Sequence, residues 1–160
     1  MKFLKLNYRF FVFILLIFLI DRYAKIKIIS LLENQNNLYI NDYLNFSLVF
    51  NTGIGFGLFS LDAGIYYNLL TIFILSVIFM LFVFMIKSDT KEKMFYSLVI
   101  GGAIGNLYDR IFYKAVPDFI DLHIENFHWF SFNIADIFIS LGIIFMIINE
   151  IFFKNKKNEN

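Results

Sequence analysis

Residues 64–86 form a run of 23 residues without a single charge. As a helix, rising roughly 1.5 Å per residue, it is long enough to cross the ~30 Å hydrocarbon core of a bilayer with some tilt. A chain that carries such a segment folds with lipid as part of its solvent. The remainder agrees: 59% of the 160 residues are hydrophobic and 21% aromatic, 23 of them Phe, well above the roughly half-apolar average of soluble domains. Four spans of ~20 residues use about half of such a chain, leaving little for a separate soluble domain.

Three further spans are predicted. Residues 10–20 are uninterrupted apolar sequence after Lys2, Lys5 and Arg9, a pattern shared with cleavable signal peptides. The residues that follow, Asp21-Arg22-Tyr23-Ala24-Lys25, offer no small-residue cleavage site, so the segment is expected to stay as a first helix over about 8–29. The others fall at about 94–112 and 133–153, with 64–86 between. In residues 38–59, Phe46, Leu48 and Phe50 alternate with Asn45, Ser47, Val49 and Asn51, a period near two that predicts strand rather than helix. Residues 112–132 read as an irregular surface connection, and the Lys/Asn-rich tail 154–160 as disordered. The expected fold class is therefore an all-α membrane protein, one domain over 1–160, with four transmembrane helices and a small extracytoplasmic β-sheet.

Placing both termini and the loop near residues 87–93 on one side collects Lys2, Lys5, Arg9, Lys87, Lys91, Lys93, Lys154, Lys156 and Lys157, nine of the fourteen basic residues. That side is expected to be cytoplasmic. Nine of the thirteen acidic residues then face outward. The chain has no Cys, which removes disulfides, thiolate nucleophiles and Cys-based metal sites together.

Chemistry is sought among ionisable groups near the spans, because such groups are costly there and mark function or a paired charge. Asp118 lies just beyond the third span and Asp136 about one turn inside the fourth. Two carboxylates brought close together cannot easily both ionise, so such a pair can serve as general base and general acid on one water. The spacing alone equally allows Asp136 to neutralise Arg110 or Lys25. Asn133 and Asp136 share a helix face, as do Asn106 and Arg110 and also Asp21 and Lys25. Their amides and guanidinium can hydrogen-bond an extended peptide, or merely another helix. Gly101 and Gly105 form a G-x-x-x-G pair suited to close helix packing. His123 and His128, with Glu125 between them, match no recognised metal spacing and read as interfacial surface residues. The serines lack a partnering Lys or His.

Five blocks in order, Asp21-Arg22-Tyr23-Ala24-Lys25, Asn51-Thr52-Gly53-Ile54-Gly55-Phe56-Gly57, Gly101-Gly102-Ala103-Ile104-Gly105-Asn106-Leu107-Tyr108-Asp109-Arg110, Val116-Pro117-Asp118-Phe119 and Phe132-Asn133-Ile134-Ala135-Asp136, resemble signal peptidase II, the bacterial lipoprotein signal peptidase family. The resemblance spans roughly residues 10–150. It implies an aspartic endopeptidase of the bacterial cytoplasmic (inner) membrane, multi-pass with both termini cytoplasmic and its active site at the outer face. Such an enzyme cuts prolipoproteins immediately before a diacylglyceryl-modified cysteine.

By the same resemblance Asp118 and Asp136 are the catalytic dyad. Asn51, Gly53, Asn106, Arg110 and Asn133 surround it and bind substrate, while Asp21, Lys25 and Asp109 support or orient. Prolipoproteins and membrane lipids are the implied partners, with no metal, cofactor or nucleic acid, and the enzyme is expected to be a monomer. Arg22 and Ala24 stand where the family usually has Gln and Thr, and Pro117 where Val is more usual. The alternatives are a small four-helix proton-coupled transporter, which favours an acid near mid-membrane and often an internal repeat, and a scaffold without chemistry. Neither of the transporter's features is visible here.

Overall fold

In the computed structural model of the chain, which describes residues 2–35, 37–53 and 64–154, the charge-free stretch is a single helix. The elements in chain order are helix α1 (Lys2–Leu31), strands β1 (Asn37–Asn41) and β2 (Leu44–Asn51), helices α2 (Ile65–Lys87) and α3 (Thr90–Tyr113), strands β3 (Val116–Ile124) and β4 (Phe127–Phe132), and helix α4 (Ile134–Asn149). A π-helical turn, Glu150–Lys154, extends α4.

Each helix follows from its residues. Along α1 the buried positions are Asn7, Phe10, Ile14, Ile17, Asp21, Lys25 and Ile28, a stripe with steps of three and four that marks one helix face. Its outer face is also apolar, with Leu15, Leu16, Leu19 and Ile20 about half exposed. Helix α2 likewise exposes Ile72, Phe73, Leu75, Phe79 and Met80. Water would penalise these surfaces and lipid does not. By length and composition α2, and α4 with its π-helical turn, are the two described helices able to cross a membrane. Helices α1 and α3 carry more charge, and they bury much of it.

Helix α3 is the hub, touching α1, α2 and α4. Its glycines permit this approach. A Cβ on Gly101 would sit 2.8 Å from Ile17 Cβ, one on Gly105 2.5 Å from an Asp21 carboxylate oxygen, and one on Gly102 would strike the backbone carbonyl of Ala135. The close-packing reading of these glycines holds. Asp89 caps the helix by accepting from the Glu92 N–H at 2.9 Å, and Lys114 ends it in the left-handed conformation, φ 60°.

The strands form one antiparallel sheet in the order β1-β2-β3-β4. The expected sheet near 38–59 supplies two of them, and residues 54–59 lie outside the described residues. The fold is therefore mostly helical with a four-stranded sheet, rather than all-α. Residues 112–132, expected as an irregular connection, instead provide β3 and β4. Pro117 accordingly stands in a strand, opposite Phe50, and not in a loop. It lies at the second residue of β3, near the strand end, where a missing N–H is tolerated. The tail beyond Lys154 lies outside the described residues. A cluster of Ile28, Leu32, Phe119 and Ile120, joined by Leu38, Phe46 and Phe132, binds the sheet to the end of α1. Thus the sheet, the C-terminal end of α3 and the N-terminal end of α4 converge on one end of the bundle.

Candidate active site

Asp118 comes from the buried first half of β3 and Asp136 from the first turn of α4. Asn133 joins them. It is the N-cap of α4, and its side-chain oxygen accepts from the Asp136 N–H at 3.2 Å. Its own backbone N–H donates to Asp136 Oδ2 at 3.0 Å, closing a reciprocal capping box. The remaining half of the Asn133 amide donates to Asp118 Oδ1 at 2.6 Å. One fully buried asparagine thereby fixes both carboxylates.

A second amide holds each aspartate from another side. Asn51, the last residue of β2, donates to Asp118 Oδ2 at 2.9 Å, and its own Oδ1 accepts from the Gly53 N–H at 2.9 Å. Asn106 donates to Asp136 Oδ1 at 2.8 Å. Behind Asn106, Lys25 Nζ donates to Asn106 Oδ1 at 2.8 Å and to Asp109 Oδ2 at 2.7 Å, and pairs with Asp21 at 2.8 Å. Asp21 in turn accepts from the Ala135 N–H at 3.0 Å. Arg110 donates to the carbonyls of Gly53 at 2.8 Å and Asn106 at 3.2 Å.

All ten residues singled out from the sequence therefore meet in one network. Lys25 is taken by Asp21 and Asp109, and among the described residues neither Asp118 nor Asp136 has an ion-pair partner. Asp136 is thus held by amides rather than by a contact ion pair, while the charges of Lys25 and Arg110 act on it from further away. Two members escaped the sequence. Arg22 pairs with Asp109 and lies over the Tyr108 ring, 5.0 Å from its centroid, so the departure from Gln at this position adds a cation to the support. The Tyr67 hydroxyl donates to the Arg110 carbonyl at 3.3 Å. A tyrosine in an apolar span gives no sequence signal of that contact.

Burial pushes the Asp118 carboxyl up to about 6, and the negative charge of Asp136 adds to the effect, against the hydrogen bonds from Asn51 and Asn133 that favour the anion. Beside the pair opens a cavity of about 370 Å³, lined by Leu122, Trp129, Phe130, Phe132, Ile137 and Leu141, with Asp136 and Ser140 its polar members. Two carboxylates oriented by amides, without a cation in contact, and one of them bordering an apolar cavity, can share a proton and activate a water.

Comparison with known proteins gives this geometry a family. A family model described as signal peptidase (SPase) II matches residues 13–152. A lipoprotein signal peptidase of Pelagibacter ubique is 49% identical over 156 residues, covering 96% of this chain and 94% of that one. One from Francisella tularensis subsp. mediasiatica is 36% identical over 161 residues, covering 98% and 99%. A solved bacterial membrane enzyme, determined by the in meso method, superposes with a TM-score of 0.76 at 26% identity over 95% of this chain and 92% of that one. With described residues from each of the five sequence blocks joined in one carboxylate-centred network, the chain belongs to the signal peptidase II family.

Proposed function

We propose that this chain removes signal peptides from prolipoproteins by hydrolysing the peptide bond immediately before a diacylglyceryl-modified cysteine, with Asp118 and Asp136 as the catalytic pair. The observation that carries this reading is Asn133 bridging two carboxylates, one buried and one part-buried, neither of which has a cation in contact among the described residues. A water between them loses a proton to the ionised carboxylate as its oxygen attacks the scissile carbonyl. The protonated partner donates to the departing amide nitrogen, the C–N bond breaks, and the proton gained by the first aspartate restores the pair. Arg110 and Asn51, turned toward the Gly53 backbone, hold the segment that borders the substrate.

All four helices cross the bacterial cytoplasmic membrane in this reading, with both termini inside. The sheet and the dyad lie at the outer face, and the enzyme acts as a monomer. The cavity beside Asp136 is apolar on the side of Ile137 and Leu141, which suits an acyl chain arriving from the bilayer and turns a membrane encounter into positioning. Asp136 stands in the first turn of α4, not near the mid-membrane depth that a proton-coupled transporter favours for its acid.

The test is a gel-shift processing assay with one precursor in lipidated and unlipidated forms, using the intact chain and single aspartate variants. Cleavage confined to the lipidated form and lost in the variants supports the reading. Equal rates on both forms would sink it.

A further inference from the structure

The β3–β4 hairpin gathers three metal-ligating side chains that the dyad does not use. His123 and His128 stand opposite one another across the two strands, and Asp121 lies two residues before His123 on β3. Between these pairs β4 has one residue more than β3, a bulge that re-aims side chains. His128 consequently reaches back to Asp121, with its Nδ1 2.8 Å from Asp121 Oδ2. The two imidazoles stack with centroids 5.1 Å apart. One donor atom from each of the three residues lies within 4.8 Å of the other two.

The Asp121–His128 hydrogen bond alone satisfies that pair. It leaves His123 unexplained: its Nδ1 is buried and has no hydrogen-bond partner among the described residues, a costly condition for a polar atom. Asn45, opposite Asp121 on β2, has its Oδ1 in the same condition. Two unpartnered buried polar atoms thus flank a carboxylate already joined to a second imidazole. A cation with nitrogen and oxygen preference satisfies such a set better than more hydrogen bonds within it.

We propose that Asp121, His123 and His128 form a site for a divalent transition-metal cation, with zinc the best fit to a ligand set of two imidazoles and one carboxylate. Asn45 Oδ1 or water completes the coordination. Donors around a tetrahedral zinc stand roughly 3.4 Å apart for bonds of about 2.1 Å, so the three close inward by rotation of the His128 side chain, which is 56% exposed. The bound ion takes the place of the Asp121–His128 proton. Trp129 and Phe130, which follow His128, line the cavity beside Asp136. The metal thereby pins one wall of that cavity. The coordination itself does not depend on the proposed peptidase chemistry.

Zinc alone is the probe, titrated into the full chain purified in detergent with a non-histidine tag. Trp129, the single tryptophan, adjoins His128 and reports through its emission, with calorimetry giving stoichiometry. One zinc per chain is expected, with a raised apparent Tm. His123→Phe, His128→Asn and Asp121→Asn each weaken binding by about tenfold or more. The half-exposed His128 tolerates substitution without loss of fold, so His128→Asn alone decides the matter. Absence of saturable binding to the unmodified chain, or unchanged binding to His128→Asn, overturns the proposal.

Discussion

Lys25 Nζ stands 2.8 Å from Asn106 Oδ1, and this contact decides which end of the Asn106 amide faces Asp136. A cation on the oxygen leaves the NH2 group to donate to the carboxylate, so a residue of α1 orients a side chain of α3 against one of α4. The lysine is fully buried and also neutralises Asp21 and Asp109. Lys25→Met keeps the volume and removes the charge. It leaves two buried carboxylates with a cation deficit and frees the Asn106 amide to turn, so stability should fall by about 3–5 kcal/mol. Unfolding in mixed micelles measures the loss, and a variant as stable as the unmodified chain contradicts this account of the network.

Asn133 has two duties, and a substitution separates them. Serine caps a helix about as well as asparagine, so Asn133→Ser should keep α4 within a few tenths of a kcal/mol. Its side chain is too short to reach Asp118 Oδ1, now 2.6 Å from the Asn133 amide. Turnover should fall at least about tenfold while the helix stays intact, whereas Asn133→Ala adds a cap loss of about 0.5–2 kcal/mol. Activity and thermal unfolding, measured together, check both halves.

At Gly102 and Gly105 the neighbours differ in how far they can yield. An added Cβ at Gly102 meets the Ala135 backbone, and one at Gly105 meets the Asp21 side chain. Backbone cannot step aside, so Gly102→Ala should separate α3 from α4 and cost about 1–3 kcal/mol or more. Gly105→Ala displaces an Asp21 oxygen and should disturb the Lys25 network. A detergent-stability ranking with both variants at or above the unmodified chain would refute the close-approach argument.

Reporter fusions test the orientation. With nine basic residues on one side, fusions after Lys154 and within the turn at Ser88 and Asp89 should lack alkaline phosphatase activity, while one between β1 and β2 should have it. Phosphatase activity from the Lys154 fusion reverses the proposed topology.

The helices and the residues of the site were legible in the sequence because each rests on a local signal. Examples are a charge-free run for α2, a G-x-x-x-G pair for the hub of α3, and ordered polar blocks for the dyad and its amides. The β3–β4 hairpin was not. Its strand residues mix Pro117, Asp118, Asp121 and His123 with apolar ones, and they are buried on both faces at the start of β3, so alternation does not show. The turn supplies no glycine either, since Glu125 takes the left-handed conformation, φ 51°. Missing that hairpin hid the meeting of Asp121, His123 and His128. It also hid the β2–β3 pairing, with Asn51 opposite Val116, that puts the Asn51 amide within reach of Asp118.

The last prediction separates what Asp118 does for catalysis from what it does to stability. Its carboxyl is pushed up to about 6, chiefly by burial, against about 3.9 in an unfolded chain. Between these values the native state holds a proton that the unfolded state has released, so this group favours folding fully below about pH 4 and loses that contribution as pH rises through about 6. A difference of that size is worth on the order of 2–3 kcal/mol. Asp118→Asn removes the ionisation and is nearly isosteric. Its unfolding free energy should lack that decline, leaving the variant as stable as the unmodified chain or more so at neutral pH. Its turnover should fall at least about a hundredfold, because an amide can neither accept the water's proton nor return one to the leaving nitrogen. Asp136→Asn should abolish turnover likewise, and the unmodified pair should lose activity at both acidic and basic extremes, titrating as one unit. Stability in mixed micelles at about pH 4 and about pH 7.5, with processing of lipidated precursor in parallel, tests both halves of this linkage. A well-inserted Asp118→Asn that processes precursor near the unmodified rate would move the acid–base role to another carboxylate.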